Sequence, residues 1–203
     1  MSEDAEKIIE RLAQDLRAGR FTPGSWLKQV DLQKRYGVGR APVRKALEAL
    51  AGRRLIRHEK NRGYSVHPAD TEEADQVLDI RVAIETGFAE AICRNAAEAD
   101  IADLGRLAAE FEKIAINGPF HLLYDANLAF HGALLGCARN PAMVALVADL
   151  RMRTSPAPAS QWLDRSRIER SAQEHFDMVE AVRAGDGAGL ARLIRDHILQ
   201  RAD

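Results

Sequence analysis

The first fifty residues alternate short amphipathic patterns with turns. Apolar residues recur at helical spacing and are interrupted by glycine and proline, which predicts three helices with tight connections. Val30 and Leu32 are predicted to face inward on the second helix. Pro42 fits only near the start of a helix, so it places the beginning of the third. The first two predicted helices cover residues 4–18 and 29–36, and the third begins at about Arg40.

The pattern then becomes strand-like for a short stretch and helical for the rest of the chain. Two short runs, Leu55–His58 and Tyr64–Val66, flank a charged tip and predict a hairpin. Beyond Pro68, glycine and proline are sparse. Helices are predicted at residues 71–94, 98–115, 119–137, 141–153, 160–184 and 187–200. The predicted fold class is therefore mainly α, with a boundary between residues 1–68 and an all-helical unit, residues 69–203.

The order helix, helix, tight turn, basic helix and charged hairpin is typical of a winged helix-turn-helix. In that arrangement the third helix enters the major groove of DNA, and the hairpin reaches the adjacent groove or the backbone. Arg40 and Arg44 are one helical turn apart, hence on one face. Arg62 lies at the hairpin tip, where Gly63 permits the bend. A solvated basic helix face is the alternative interpretation of these arginines.

The net charge of the chain changes sign close to the predicted boundary between the two units. Residues 1–66 contain 15 basic and 8 acidic side chains, a net charge of +7, whereas residues 67–203 contain 14 and 22, a net charge of −8. The complete sequence of 203 residues has a formal net charge of −1, so the total conceals this division. Basic charge concentrated in a small unit is the electrostatic signature of nucleic-acid binding, and it favours DNA as the partner of the first unit.

Composition indicates a folded protein in a reducing compartment. Hydrophobic residues make up 46% of the chain, too many for a disordered protein. The longest uncharged apolar stretch, around residues 142–148, is far shorter than the roughly 18–20 residues that span a bilayer, and the acidic N-terminus lacks a signal-peptide pattern. Cys93 and Cys137 lack C-x-x-C spacing and are predicted to be buried, reduced thiols. A cytoplasmic location without membrane contact is therefore expected.

Histidines in the second unit suggest a metal site. Asn127 and His131 lie at i and i+4 of one predicted helix, and His175 and His197 lie on two others. Three imidazoles and one oxygen from separate helices can converge on a borderline divalent metal in a bundle core. Buried histidines that are satisfied by hydrogen bonds are the alternative interpretation.

Arg81 and Glu85 allow two interpretations. The guanidinium of Arg81 is suited to hold the carboxylate of an organic-acid effector, because arginine binds carboxylates through two parallel hydrogen bonds. Alternatively, the i, i+4 spacing places Arg81 in an ion pair with Glu85 on the same helix. The sequence alone leaves both open.

The N-terminal residues resemble a known family. About residues 5–68 contain the pattern P-G-x-x-L … Y-G-V-x-R-x-P-V-R-x-A-L-x-x-L … L-I … R-G-Y-x-V, which resembles the DNA-binding domain of the GntR family of bacterial transcription regulators. The resemblance implies operator binding by a dimer, with Arg40 and Arg44 as direct contacts. Gly39 replaces the family's usual Ser or Thr, and Arg54 replaces a usual Gly, which leaves the end of the third helix open. The DNA-binding residues assigned on this basis are Arg40, Ala41, Pro42, Arg44, Lys45, Arg62 and Gly63.

The second unit resembles, more loosely, the FCD effector domain that follows many GntR-type DNA-binding domains. The resemblance covers about residues 70–201 and is carried by R-x-x-x-E, F-H, N-P and E-H motifs and by a histidine on the last helix. It implies an antiparallel helical bundle that holds a divalent metal through one Asp and three His. Asn127 stands at the Asp position, and its neutral amide implies weaker binding. The implied ligands are Asn127, His131, His175 and His197, for Zn²⁺ first and Ni²⁺ or Mn²⁺ as alternatives.

These resemblances imply a metabolite-responsive transcription regulator, expected to be a repressor. A homodimer is expected to bind a pseudo-palindromic operator in double-stranded DNA, and a small carboxylate, held beside the metal with Arg81, is expected to modulate that binding. Two alternatives are a metal-dependent hydrolase that uses the histidines to activate water, and a DNA-binding protein with a purely structural dimerisation bundle. The chain lacks H-E-x-x-H and G-x-S-x-G, so an enzyme is not expected.

Overall fold

The computed structural model describes residues 3–17, 20–68, 72–118, 120–153 and 165–199, which contain ten α-helices and one β-hairpin. The helices are α1 (Glu3–Arg17), α2 (Gln29–Tyr36), α3 (Arg40–Gly52), α4 (Glu72–Gly87), α5 (Ala89–Asn95), α6 (Glu98–Asn117), α7 (Phe120–Gly136), α8 (Pro141–Arg153), α9 (Arg165–Ala184) and α10 (Gly187–Leu199). The strands are β1 (Arg57–Glu59) and β2 (Gly63–Ser65). The predicted mainly helical fold class is confirmed. None of the described helices is long and apolar enough to cross a lipid bilayer.

The first three helices close around one apolar core. Leu12 of α1 and Val43 of α3 are fully buried there, because each lies on the apolar stripe of its helix. The prediction that Val30 faces inward is wrong, since this residue is 59% exposed. In the two-turn helix α2, Leu32 and Tyr36 lie at i and i+4 and form the buried face, which turns Val30 outward.

The predicted hairpin is present and forms the wing, residues 57–65. Its strands pair antiparallel, with His58 opposite Tyr64 and their rings stacked at a centroid distance of 4.6 Å. Gly63 has φ +108°, a conformation that glycine adopts because it has no Cβ. A β-bridge between Trp26 and Ser65 joins the second strand to the segment that precedes α2. The wing is therefore fixed at its base and presents its charged tip outward.

The turn after α3 contains a residue in a strained backbone conformation. The helix ends at Gly52, and Arg54 has φ +57°, in the left-handed region. That region costs roughly 1–2 kcal/mol for a residue with a Cβ, which accounts physically for the glycine usual here in the family that the sequence resembles. Nη1 of Arg54 lies 2.6 Å from both carboxylate oxygens of Asp149 in α8, and its carbonyl oxygen lies 3.0 Å from Nε2 of His67. The strained turn therefore connects α3 to the C-terminal helices.

Helices α4 to α10 form a second apolar core, separate from the first. Phe130 of α7, Met178 of α9 and Leu190 of α10 are fully buried in it, so these helices meet through their apolar faces. The predicted helices agree with the structure to within a few residues, apart from one break. Predicted helical residues 18, 71, 119, 160–164 and 200 lie outside the described residues.

The helix predicted over residues 71–94 is two helices in the structure. Helix α4 ends at Gly87, and Phe88 separates it from α5 with φ −96° and ψ 0°. The hydroxyl of Thr86 donates a hydrogen bond to the carbonyl of Val82 at 2.7 Å. Such bonds from Thr to the preceding turn weaken and bend helices, and the glycine that follows adds to this effect. Hydrophobic periodicity continues through the break, which explains why the sequence pattern did not indicate it.

Candidate functional site

The outward face of α3 is a basic surface, as the sequence predicts. Its apolar residues are buried in the N-terminal core, which leaves the polar side to solvent. Pro42 is half-buried in the first turn, and Gly39 precedes the helix in an extended conformation without a side-chain cap. The predicted DNA-contact residues that are exposed on this helix are Arg40, Ala41, Arg44 and Lys45.

Two arginines of this surface have polar partners that hold them loosely. Nε of Arg40 donates a hydrogen bond to Oε1 of Gln29 at 3.2 Å, and Nη1 of Arg44 lies 3.5 Å from Oε1 of Glu48. Exposed pairs of this kind contribute little to stability, so DNA can replace them at small cost. Sequence reasoning did not identify Gln29, because no local pattern shows that the start of α2 lies against Arg40.

At the tip of the wing, Arg62 lies on an aromatic ring. Its Nη1 is 2.9 Å from Oε2 of Glu59, and its guanidinium carbon is 5.0 Å from the centroid of the Trp26 ring. A cation above an indole face is attracted by the ring quadrupole, and Trp26 is therefore a support for Arg62 that the sequence did not indicate. Gly63 follows in the strand and is half-buried.

Three predicted histidines come together in the core of the bundle and are called here the histidine cluster. His131 of α7, His175 of α9 and His197 of α10 place potential ligand atoms within 4.8 Å of one another. Nε2 of His131 and Nε2 of His197 are 2.9 Å apart. His175 is fully buried and is stacked on Phe130 at a centroid distance of 4.0 Å. The sequence spacing placed these residues on separate helices, and helix packing brings them together.

Three buried polar atoms on these helices have no hydrogen-bond partner among the described residues. They are both ring nitrogens of His175 and Oδ1 of Asn127, one turn before His131 on α7. Buried polar atoms are normally paired, and an unpaired one costs about 1–3 kcal/mol. Each of these side chains can give a lone pair to a cation. The residues therefore fit a metal ion better than they fit a core of hydrogen-bonded histidines.

Burial and nearby positive charge both disfavour protonation of two histidines of the cluster, His131 and His175. Burial lowers the pKa of His131 well below its ordinary value, and the positive charges of Arg151 and, more weakly, Arg81 lower it further. Burial also lowers the pKa of His175 well below its ordinary value, with contributions from His197 and Arg151. Neutral imidazole is the form that binds metals. The same arginines that disfavour a proton favour an anion nearby.

A carboxylate outside the cluster contacts one of the histidines. Oε2 of Glu174 is 2.5 Å from Nδ1 of His197. Arg167 donates to both oxygens of this carboxylate, at 2.9 Å each. The predicted site residues did not include Glu174 or Arg167; the E-H motif at residues 174–175 was the available signal.

Arg81 belongs to a buried group of three charged side chains, Arg81, Glu85 and Arg151. Nε of Arg81 is 2.9 Å from Oε1 of Glu85, so the predicted i, i+4 ion pair is present, and Nη2 of Arg151 is 3.0 Å from Oε2 of the same carboxylate. Burial lowers the pKa of Arg81 to about 10, and repulsion from Arg151 adds to the lowering. Burial opposes ionisation of Glu85, but the two guanidinium groups hold its pKa below the ordinary value. Arg151 was not among the predicted site residues.

A winged helix-turn-helix with an exposed basic helix, followed by a helical bundle with a buried polar cluster, is the architecture of a DNA-binding regulator with a second, helical unit. Residues 4–66 match the family described as "Bacterial regulatory proteins, gntR family", and residues 76–200 match the FCD domain. The chain therefore belongs to the GntR family and carries an FCD domain. It is a transcription regulator and not an enzyme, which removes the hydrolase alternative.

Relatives over nearly the whole chain are regulators as well. The transcriptional repressor GlaR of Escherichia coli K12 is 29% identical over 203 residues, covering 93% of this chain and 89% of that protein. The regulator LutR of Bacillus subtilis 168 is 26% identical, with 93% and 94% covered. Among solved structures, E. coli McbR/YncC has a TM-score of 0.75 at 19% identity, and a GntR regulator from Rhodococcus sp. RHA1 has 0.73 at 20%; each alignment covers 98% of this chain and 95% of the other. These two show the fold alone.

Proposed function

We propose that the protein is a repressor that binds a pseudo-palindromic operator as a homodimer. The repressor role is supported by the similarity to GlaR, which is named a transcriptional repressor. A two-fold dimer presents two recognition helices to two half-sites, so the operator is expected to have a matching two-fold, pseudo-palindromic symmetry. Residues 1–68 act as the DNA-binding unit and residues 69–203 as the effector-binding and dimerisation unit. The two separate apolar cores support this division.

The DNA contacts come from α3 and the wing. Arg40 and Arg44 reach base edges or phosphates in the major groove, where the exposed face of α3 is complementary to the DNA charge. The wing places Arg62 against the adjacent groove or backbone, supported by Trp26. The full set of proposed contacts is Arg40, Ala41, Pro42, Arg44, Lys45, Arg62 and Gly63.

The bundle holds a divalent metal at the histidine cluster. The unpaired polar atoms of His175 and Asn127 carry this proposal, because a metal gives a partner to Oδ1 of Asn127 and to one ring nitrogen of His175. His131 and His197 complete the donor set, and FCD domains of GntR regulators often bind metals. Nitrogen-rich ligand sets favour Zn²⁺, with Ni²⁺ and Mn²⁺ as alternatives. The bound ion would supply Lewis acidity that attracts an anionic oxygen.

The effector is a small organic acid. Four neutral ligands leave the positive charge of a divalent ion uncompensated, and Arg81 and Arg151 add a positive field at the cluster. Arg81 is the proposed anchor for the effector carboxylate. Its described contact with Glu85 uses Nε, and a guanidinium has further N–H donors. Binding of the effector shifts the dimer toward an arrangement with weaker operator affinity, because its affinity for the two arrangements differs.

Titration of the protein–operator complex with small organic acids tests this function. The operator fragment is selected by the protein itself from random duplex DNA, and each acid is tested with and without chelator. We expect one or more carboxylates to release the DNA from the metal-loaded protein and to lose at least about ten-fold in potency after chelation. Release by an uncharged ligand, or equal potency in chelated protein, would contradict the proposed metal–carboxylate mechanism and leave the DNA-binding assignment intact.

Asn127→Asp should tighten metal binding. The substitution is nearly isosteric and adds one negative charge to a donor set that has none. We expect the affinity for Zn²⁺, measured by competition with a chromogenic chelator, to rise at least about ten-fold, or about 1.4 kcal/mol. Asn117→Asp makes the same change at the exposed end of α6 and should leave the affinity unchanged. Equal or weaker binding by Asn127→Asp would remove residue 127 from the ligand set.

A further inference from the structure

We infer that Glu174 is a positioning residue of the metal site and acts through His197. This inference rests on the metal site proposed above. Glu174 directly precedes His175 on α9, but its carboxylate is directed to His197 on α10, with 2.5 Å between Oε2 and Nδ1. It therefore couples two helices that each carry a proposed ligand.

Arg167 fixes the orientation of this carboxylate. The two residues lie two turns apart on α9, and Nη1 and Nη2 of Arg167 each donate to one oxygen of Glu174 at 2.9 Å. A pair with two parallel hydrogen bonds allows essentially one relative orientation. The side chains of Arg167, Glu174 and His197 are 15%, 16% and 11% exposed, so water competes little for these bonds. Arg167, Glu174 and His197 therefore form a fixed chain of hydrogen bonds behind the site.

The bond to Glu174 decides which nitrogen of His197 is available to a metal. A carboxylate accepts the proton of Nδ1–H, which leaves the lone pair on Nε2. This Nε2 lies on the side of the histidine cluster, 2.9 Å from Nε2 of His131. Carboxylate partners of ligating histidines fix the tautomer and raise the basicity of the ligand, and their loss typically weakens metal binding 10- to 100-fold.

The charge of Glu174 is important because the proposed donor set is neutral. Asn127 stands where the FCD resemblance implies an aspartate, so the ligands themselves contribute no negative charge. Glu174 provides a negative charge one hydrogen bond away from a ligand, partly balanced by Arg167. We therefore separate two roles of Glu174, the acceptor that selects the tautomer and the charge that strengthens the ligand.

The affinity of the full chain for Zn²⁺, measured by chelator competition at pH 8, tests both roles. Glu174→Gln keeps an acceptor for Nδ1–H and removes the charge, and should weaken binding about ten-fold; Glu174→Met removes both and should weaken it by up to about a hundred-fold. Glu169→Gln alters an exposed carboxylate of the same helix and should have no effect. Because Glu174→Met leaves Arg167 without this partner, Arg167→Met/Glu174→Met is also measured and should bind as weakly as Glu174→Met.

The ¹⁵N chemical shifts of the His197 ring in chelated protein give a second readout. If Glu174 had only a structural role, its substitution would not change these shifts. We expect the Nδ1–H tautomer in wild type and in Glu174→Gln, and loss of that preference in Glu174→Met. Equal Zn²⁺ affinity of wild type and Glu174→Met, or an Nε2–H tautomer in wild type, overturns the inference while the metal site stands. A wild-type chain that binds no Zn²⁺ overturns the metal site and this inference together, so the two failures are distinguishable.

Discussion

Chelation should lower the melting temperature of the wild-type protein and leave that of His175→Ala unchanged. A ligand that binds only the folded state stabilises it by mass action, about 2.7 kcal/mol at a hundred times the dissociation constant. For a chain of this length, each kcal/mol shifts the melting temperature by about 2–4 °C. We therefore expect a decrease of about 5–10 °C for wild type, and elemental analysis should show that His175→Ala has lost most of its bound metal.

The comparison with and without chelator is essential because His175 also contributes to packing. Its ring is fully buried between Phe130 and Phe111, so the alanine variant leaves a cavity and should be less stable in either condition. Only the chelator-dependent difference reports the metal. His58→Ala removes a histidine of the wing and should keep the full chelator effect. If reconstituted wild type contains no ion, or if His175→Ala remains sensitive to chelator, the histidine cluster is not a metal site and the bundle is purely structural.

Much of the fold follows from the sequence because local and global preferences agree. Pro42 marks the start of α3, and Gly63 allows the tight bend of the wing. The differences occur where local contacts override periodicity. Thr86 and Gly87 break a helix whose apolar pattern continues, and Val30 is exposed because an eight-residue helix has only a narrow buried face. These outcomes depend on hydrogen bonds and packing that a hydropathy pattern does not contain.

The candidate site is predictable only in part, for a geometric reason. Spacing within one helix places Asn127 and His131 on one face, but the approach of His175 and His197 depends on how three helices pack. The resemblance to the FCD domain supplied that information, and periodicity did not. Contacts between distant residues, such as Arg151 with Glu85, have no sequence signal at all, because 66 residues separate the partners.

Arg40→Ala/Arg44→Ala should abolish specific operator binding while the protein remains folded. Each arginine that contacts a base contributes about 1–3 kcal/mol, and each phosphate contact contributes about one unit to the slope of log affinity against log salt. Both side chains are exposed on α3 and neither supports the core, so circular dichroism and the melting temperature should stay close to wild type. Affinity is measured by fluorescence anisotropy of a labelled operator at several salt concentrations.

A substitution of Glu48 distinguishes the loss of the contact between Arg44 and DNA from repulsion between Glu48 and DNA. Nη1 of Arg44 lies 3.5 Å from Oε1 of Glu48. In Arg44→Ala, the exposed carboxylate of Glu48 therefore faces the DNA without the positive charge of Arg44 beside it. Arg44→Ala/Glu48→Gln removes the added repulsion, so its remaining loss of affinity reports the contact of Arg44 itself. Arg195→Ala, which removes one exposed arginine of α10, controls for the loss of a positive charge away from α3 and should bind nearly as wild type. A folded Arg40→Ala/Arg44→Ala variant with wild-type affinity would show that α3 is not the recognition helix, because these two arginines and Lys45 are the basic side chains of that helix.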